Sequence, residues 1–121
     1  MKRFLLACAV LLCSSGQAQV QDASLEGRTL WRGHVSFGFE TSEFRPCGSK
    51  ERWWVVSSAD LQKRYTQATA RMYESAYVVL RGIPSARGTY GHLGSYAREL
   101  RVRSVVTLRG VQKDDCKLKG S

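Results

Sequence analysis

Cys47 and Cys116 constrain this chain more than any other feature, because a bond between them would force residue 116 back against residue 47 across most of the folded length. The other two cysteines, Cys8 and Cys13, fall in a segment that reads as removable. Met1-Lys2-Arg3 is followed by the apolar run Phe4 to Cys13 and then by Ser14-Ser15-Gly16-Gln17-Ala18-Gln19, the charged, apolar and small-residue regions of a secretory signal. The apolar run is about ten residues, half of the roughly 20 that a membrane-spanning helix needs. Cleavage after Ala18, with Gly16 and Ala18 as the small side chains, takes 18 residues from 121 and leaves 103; a site one or two residues later also fits.

Leu5-Leu6-Ala7-Cys8 has the look of a lipoprotein box, but it precedes the end of the apolar run, and Cys13 follows Leu12 where a small residue is wanted. Lipid attachment is therefore the weaker expectation. The expected location is the periplasm or the exterior, where thiols are oxidised, and two cysteines allow one intramolecular pairing. A Cys47–Cys116 disulfide is the expectation and two free thiols the alternative. Closing a loop of that length removes denatured-state entropy worth about 4 kcal/mol.

What remains is room for one domain. Hydrophobic residues make up 43% and charged residues 24%, which argues for a folded chain rather than a disordered one. Residues 19–27 are a polar leader, and the domain runs from 28 to 121. From Leu30 to Glu40, Trp31, Val35, Phe37 and Phe39 alternate with Arg32, His34, Ser36 and Glu40, the period of a half-buried strand, with Gly33 and Gly38 as places for a bulge or bend. Thr41 to Phe44 follows as a hairpin partner, Pro46-Cys47-Gly48-Ser49 is a turn and Arg52 to Val56 the next strand. Ser58 suits a helix N-cap, and Leu61, Tyr65, Ala68 and Met72 keep helical spacing to about Glu74. Tyr77 to Arg81 is a strand, Gly82 to Tyr96 a glycine-rich connection, and Arg98 to Arg109 the last strand, with Leu100, Val102, Val106 and Leu108 on one face and Arg101, Arg103 and Arg109 on the other. Three strands, a helix and two strands, without βαβ alternation, predict a mainly β, OB-like Greek-key barrel with one helix and one disulfide.

The run Gly33-His34-Val35-Ser36-Phe37-Gly38-Phe39-Glu40, continuing through Phe44-Arg45-Pro46-Cys47 and Arg52-Trp53-Trp54, resembles the C-terminal OB domain of the NlpE-type envelope lipoproteins. The Asp60 to Tyr73 helix, Val78-Val79-Leu80-Arg81-Gly82, the Leu100 to Leu108 strand and Cys116 extend the resemblance over nearly all of the chain beyond the signal. It implies an OB barrel with Cys47 bonded to Cys116, among envelope proteins that report on adhesion, lipoprotein traffic and redox folding. The chain departs from that family in lacking an N-terminal barrel with a Cys-x-x-Cys motif and a well-placed lipidation site.

Removing Lys2 and Arg3 with the signal takes the net charge from +9 to +7. Arg98, Arg101, Arg103 and Arg109 are candidates for a basic stripe, and Trp53, Trp54, Tyr90 and Tyr96 for aromatic platforms beside it, the combination with which OB barrels hold polyanions. The plainer reading of the arginines is the solvated side of a half-buried strand. Trp53 and Trp54 are adjacent, so a strand sends one ring to each side. The two histidines, His34 and His92, lack metal-ligand spacing to any Cys, Asp or Glu. Gly88 to Gly94 lacks the lysine and helix of a phosphate loop. Glu40 and Glu43 are the one carboxylate pair that could split an acid and a base.

No catalytic residue, metal site or cofactor is therefore expected. The first reading is a non-catalytic envelope interaction module, with a link to envelope stress or adhesion sensing as the role that the resemblance implies. The alternatives are a binder of anionic envelope polymers or lipids through the arginines, including peripheral membrane contact, and a small secreted enzyme or inhibitor. An export signal argues against intracellular nucleic acid as partner.

Overall fold

The computed structural model describes residues 28–117; the expected signal, the leader and the last four residues lie outside the described residues. Five strands, β1 (Leu30–Gly38), β2 (Thr41–Pro46), β3 (Trp53–Val56), β4 (Ala76–Pro84) and β5 (Arg98–Gly110), and one helix, α1 (Ala59–Ala68), form the domain. The strands close into a barrel in the order β1-β2-β3-β5-β4. All neighbours are antiparallel except β3 and β5. This is the small OB-like barrel that the order of elements predicts, closed rather than partly open.

Alternation in β1 sends Trp31, Gly33, Val35 and Phe37 inward. They meet Phe44, Trp53, Val55, Val78, Leu80 and Leu100 in one continuous core. Gly33 is not the bulge that its place in a strand suggests, since pairing with β2 runs unbroken from Gly38↔Thr41 to Gly33↔Pro46. It is glycine because a Cβ there would strike the Arg45 carbonyl and the Phe44 ring. The bulges lie in β5, where Arg103 and Val106 are the extra residues in the pairing with β4. The expected face of Val102, Val106 and Leu108 is corrected accordingly: inward positions run Leu100, Val102, Val105, Leu108, and Val106 is exposed.

Helix α1 starts as expected, with the Ser58 hydroxyl accepting from Leu61 N at 3.1 Å and Asp60 in the first turn. Leu61 and Tyr65 are its buried residues, and the Tyr65 hydroxyl donates to Glu74 O at 2.7 Å. The helix stops at Ala68, short of Glu74, because Thr69 turns to extended backbone and its hydroxyl takes the Tyr65 carbonyl at 2.7 Å. Met72 is therefore exposed instead of continuing the apolar stripe. Cys47 and Cys116 are bonded, 69 residues apart in sequence with Cα atoms 5.2 Å apart.

Candidate functional site

An OB barrel ordinarily offers the surface of β2 and β3, flanked by the β1–β2 and β4–β5 connections, to its ligand. Here residues 85–97 fold down onto that surface. Gly91, at φ +71°, sits so close to Trp54 that a Cβ would enter the indole ring. Tyr96 meets Trp54 edge-on at 5.2 Å between ring centroids, and Arg52 stacks 4.8 Å above Tyr96. Tyr90 exchanges backbone hydrogen bonds with Tyr96 at 2.9 and 3.1 Å, and its hydroxyl donates to Ala86 O at 2.9 Å. Burial, with the Glu43 charge behind it, pushes the Tyr96 phenol above its ordinary range. Trp54 and Tyr90 are thus held by the connection and are not open platforms.

Trp53 is the inward member of the tryptophan pair and belongs to the core, so its place as a ligand-binding candidate is corrected. Its indole N–H donates to Glu51 at 2.9 Å. That bond, with Arg87 2.6 Å away, holds the Glu51 carboxyl below the usual range against the opposing effect of burial. Glu40 and Glu43 do not form a pair. Glu40 lies 3.0 Å from His92, while Glu43 is shared by Arg45 and Arg52.

The sequence gives no hint of the polar cluster under the C-terminal segment. The disulfide brings residues 112–117 across the outside of β1, β4 and β5, and Asp115 is buried there. Its Oδ2 accepts from Gln112 N at 2.7 Å and lies 3.4 Å from His34 Nε2, and its Oδ1 forms an ion pair with Arg109 at 2.8 Å. Arg32 donates to the Asp115 carbonyl at 2.8 Å and to the Tyr77 hydroxyl at 2.9 Å. Burial pushes the Asp115 carboxyl up, but the bonds from Gln112, Arg109 and His34 outweigh it and leave the pKa below the ordinary value. A folded state that prefers the ionised form is stabilised above the unfolded pKa, and that stabilisation goes as pH falls through about 4 and on past the folded value. An Asp115→Asn variant should therefore be less stable than the parent at neutral pH. Urea unfolding at neutral and acid pH should show the gap narrowing below about pH 4; an unchanged gap would contradict this account. A cleft of about 740 Å³ beside the cluster is lined by Arg32, Tyr77, Arg109, Lys113 and Lys117 together with Asp114 and Asp115.

The expected stripe of four arginines divides into three environments. Arg98 is buried, donates to Ser85 O at 2.8 Å and lies over Trp53, because its position in β5 is an inward one. Arg109 is taken by Asp115 and by the Tyr77 ring, 4.3 Å away. Arg101 and Arg103 remain exposed, and β4 adds Arg81, which the reading of the last strand alone missed. Pairing sets Ile83–Arg101–Val56 in one outward row and Leu30–Arg81–Ser104 in the next. Leu30, Val56 and Ile83 are exposed there, so Arg81 and Arg101 stand interleaved with three apolar side chains, and Arg103 is exposed at the adjoining bulge.

Most other arginines among the described residues have a hydrogen bond, a carboxylate or a ring for a partner, as Arg28, Arg32, Arg45, Arg52, Arg64 and Arg87 do. Arg81, Arg101 and Arg103 have none among the described residues. Glu99, two positions before Arg101 on the strand, is in no ion pair with them. Diagonal neighbours on adjacent strands lie about 7–8 Å apart, so the repulsion among these cations is left standing by the fold.

Among the described residues, no group of three or more His, Cys, Asp or Glu side chains is placed to hold a metal ion, and no helix is long and apolar enough to cross a membrane. No family model matches the chain, and neither a curated protein nor a solved structure is significantly similar to it.

Proposed function

We propose that this chain is an exported, non-catalytic binding module of the cell envelope, and that it holds an anionic envelope polymer on the outer surface of β4 and β5 around Arg81, Arg101 and Arg103. The observation that carries the reading is the contrast in partners: the other strand arginines are satisfied within the fold, while these three are exposed on neighbouring positions of β4 and β5 with no carboxylate partner among the described residues. An anion placed among them relieves a repulsion that the folded protein otherwise carries. The apolar rows beside them add area that an acidic sugar or acylated polymer can cover. The β2–β3 surface is the weaker candidate, since residues 85–97 occupy it.

The Cys47–Cys116 bond is compatible with an oxidising compartment and supports the expected export. The barrel and the place of the bond are also what membership among NlpE-like OB domains would require, and we retain that family as part of the proposal.

Lipopolysaccharide and a heparin column serve as anionic probes. Binding should weaken steeply as salt rises, because exposed charges are screened. The Arg81→Ala, Arg101→Ala, Arg103→Ala triple variant should bind about tenfold more weakly or worse, from three exposed ion contacts of up to about 1 kcal/mol each. Arg45→Ala with Arg64→Ala and Arg87→Ala removes three charges of the same kind from ion-paired positions and should change little. Equal losses in the two variants would point to net charge alone and overturn the assignment of the surface.

A further inference from the structure

Three non-glycine residues among the described ones have left-handed backbone, Glu40 (φ 56°), Tyr73 (φ 67°) and Leu93 (φ 58°), and all three converge on the β1–β2 turn. Glu40 is in the turn itself. Tyr73 N donates to Phe37 O at 2.8 Å, and the Tyr73 hydroxyl donates to Phe39 O at 3.2 Å. His92, beside Leu93, lies 3.0 Å from Glu40.

This corner of the barrel displays apolar side chains to water: Phe39 is 72% exposed, Met72 62%, Tyr73 53% and Leu93 87%. Leu93 is the telling case. A leucine in left-handed backbone is unfavourable where glycine or asparagine is not, and at that exposure its side chain recovers almost nothing from packing. The fold therefore holds an apolar side chain outward at a conformational cost and gains no core from it.

Phe39 and Leu93 stand on separate turn tips rather than lining a groove, which suits a fluid partner better than a rigid protein surface with matching pockets. The charge fits an anionic fluid surface. Without the signal the chain carries +7, Arg71, next to Met72, has no ion pair among the described residues, and the Glu40 carboxylate beside Phe39 is turned to His92. We propose that this corner is a membrane-contact surface, with Phe39 and Leu93 entering the interfacial layer of an anionic bilayer, Met72 and Tyr73 at its margin and Arg71 among the headgroups. The inference is independent of the polymer surface on β4 and β5.

Co-sedimentation with vesicles tests it, using phosphatidylcholine alone and an equal mixture with phosphatidylglycerol. The parent should sediment with the mixed vesicles and not with phosphatidylcholine. Leu93→Asn keeps a residue that accepts left-handed backbone, and Phe39→Ser acts on a different loop, so a folding defect in one leaves the other informative. Each should weaken vesicle binding about tenfold, from the apolar area no longer withdrawn from water. Two results would overturn the proposal. One is a parent that ignores anionic vesicles, leaving a protein as the occupant of the corner. The other is parent-like binding by both variants that disappears in the Arg101→Ala, Arg103→Ala double variant, which would place lipid contact on β4 and β5.

Discussion

Replacing Cys47 and Cys116 with serine should lower the free energy of unfolding by about 4 kcal/mol, within the 2–5 kcal/mol typical of small exported domains. The bond spans 69 residues, and without it the denatured chain regains most of the freedom that the crosslink removes. A native-state effect adds to this. Residues 112–117 reach the barrel through the polar contacts of Asp115 and through the bond, and a single buried ion pair is a poor anchor once its segment is free to leave. Urea unfolding with and without reductant gives the size of the effect, and trypsin cleavage at Lys113 reports the release of the segment. A serine variant within about 1 kcal/mol of the parent, with Lys113 still protected, would mean that the Asp115 cluster holds the segment unaided.

The Trp53→Ala variant should lose about 3–5 kcal/mol of stability, the cost of emptying a large aromatic site in a packed core. Trp53 meets Trp31 edge-on at 4.9 Å and Phe44 at 5.8 Å between centroids, lies under Arg98 and anchors Glu51 through its indole N–H. Trp54→Ala, one residue on, should cost about 1 kcal/mol, in keeping with a partly exposed residue. Its effect should be local, with faster amide exchange in residues 88–96, because Gly91 and Tyr96 lose the ring on which they rest. Urea unfolding of both variants, with hydrogen exchange on the second, checks the contrast. The opposite ranking would place the core on the wrong side of β3.

Adjacent tryptophans show how far the sequence carries. Strand periodicity states that Trp53 and Trp54 face opposite ways, but only the neighbouring strands decide which way is inward. The element order and the Cys47–Cys116 pairing are legible because they depend on local pattern and on a count of cysteines. In β5 the alternation holds from Arg98 to Val102 and then fails, since the two bulges are set by the pairing with β4 and leave no local signature. The same failure hides which arginines share a surface. Arg98 and Arg101 look like members of one stripe, yet one is buried against Trp53 and the other is exposed. Asp115 gave no signal either, because the polar groups around it come from β1, β5 and the tail and meet only after the chain has closed. Nor did the spacing of Leu93 in a glycine-rich run announce its left-handed backbone.

The parallel seam between β3 and β5 has a further consequence for how this domain meets other molecules. The ring closes through short seams, two residue pairs between β2 and β3 and four between β3 and β5, so β5 beyond Arg101 has β4 as its only strand partner among the described residues. The side chains proposed for recognition, arginines and aliphatic residues on the outside of β4 and β5 and the turn tips that carry Phe39 and Leu93, lie outside the short β2–β3 and β3–β5 seams apart from Val56 and Arg101. Changes at those positions can retune what the protein binds while leaving the hydrogen-bonded ring intact.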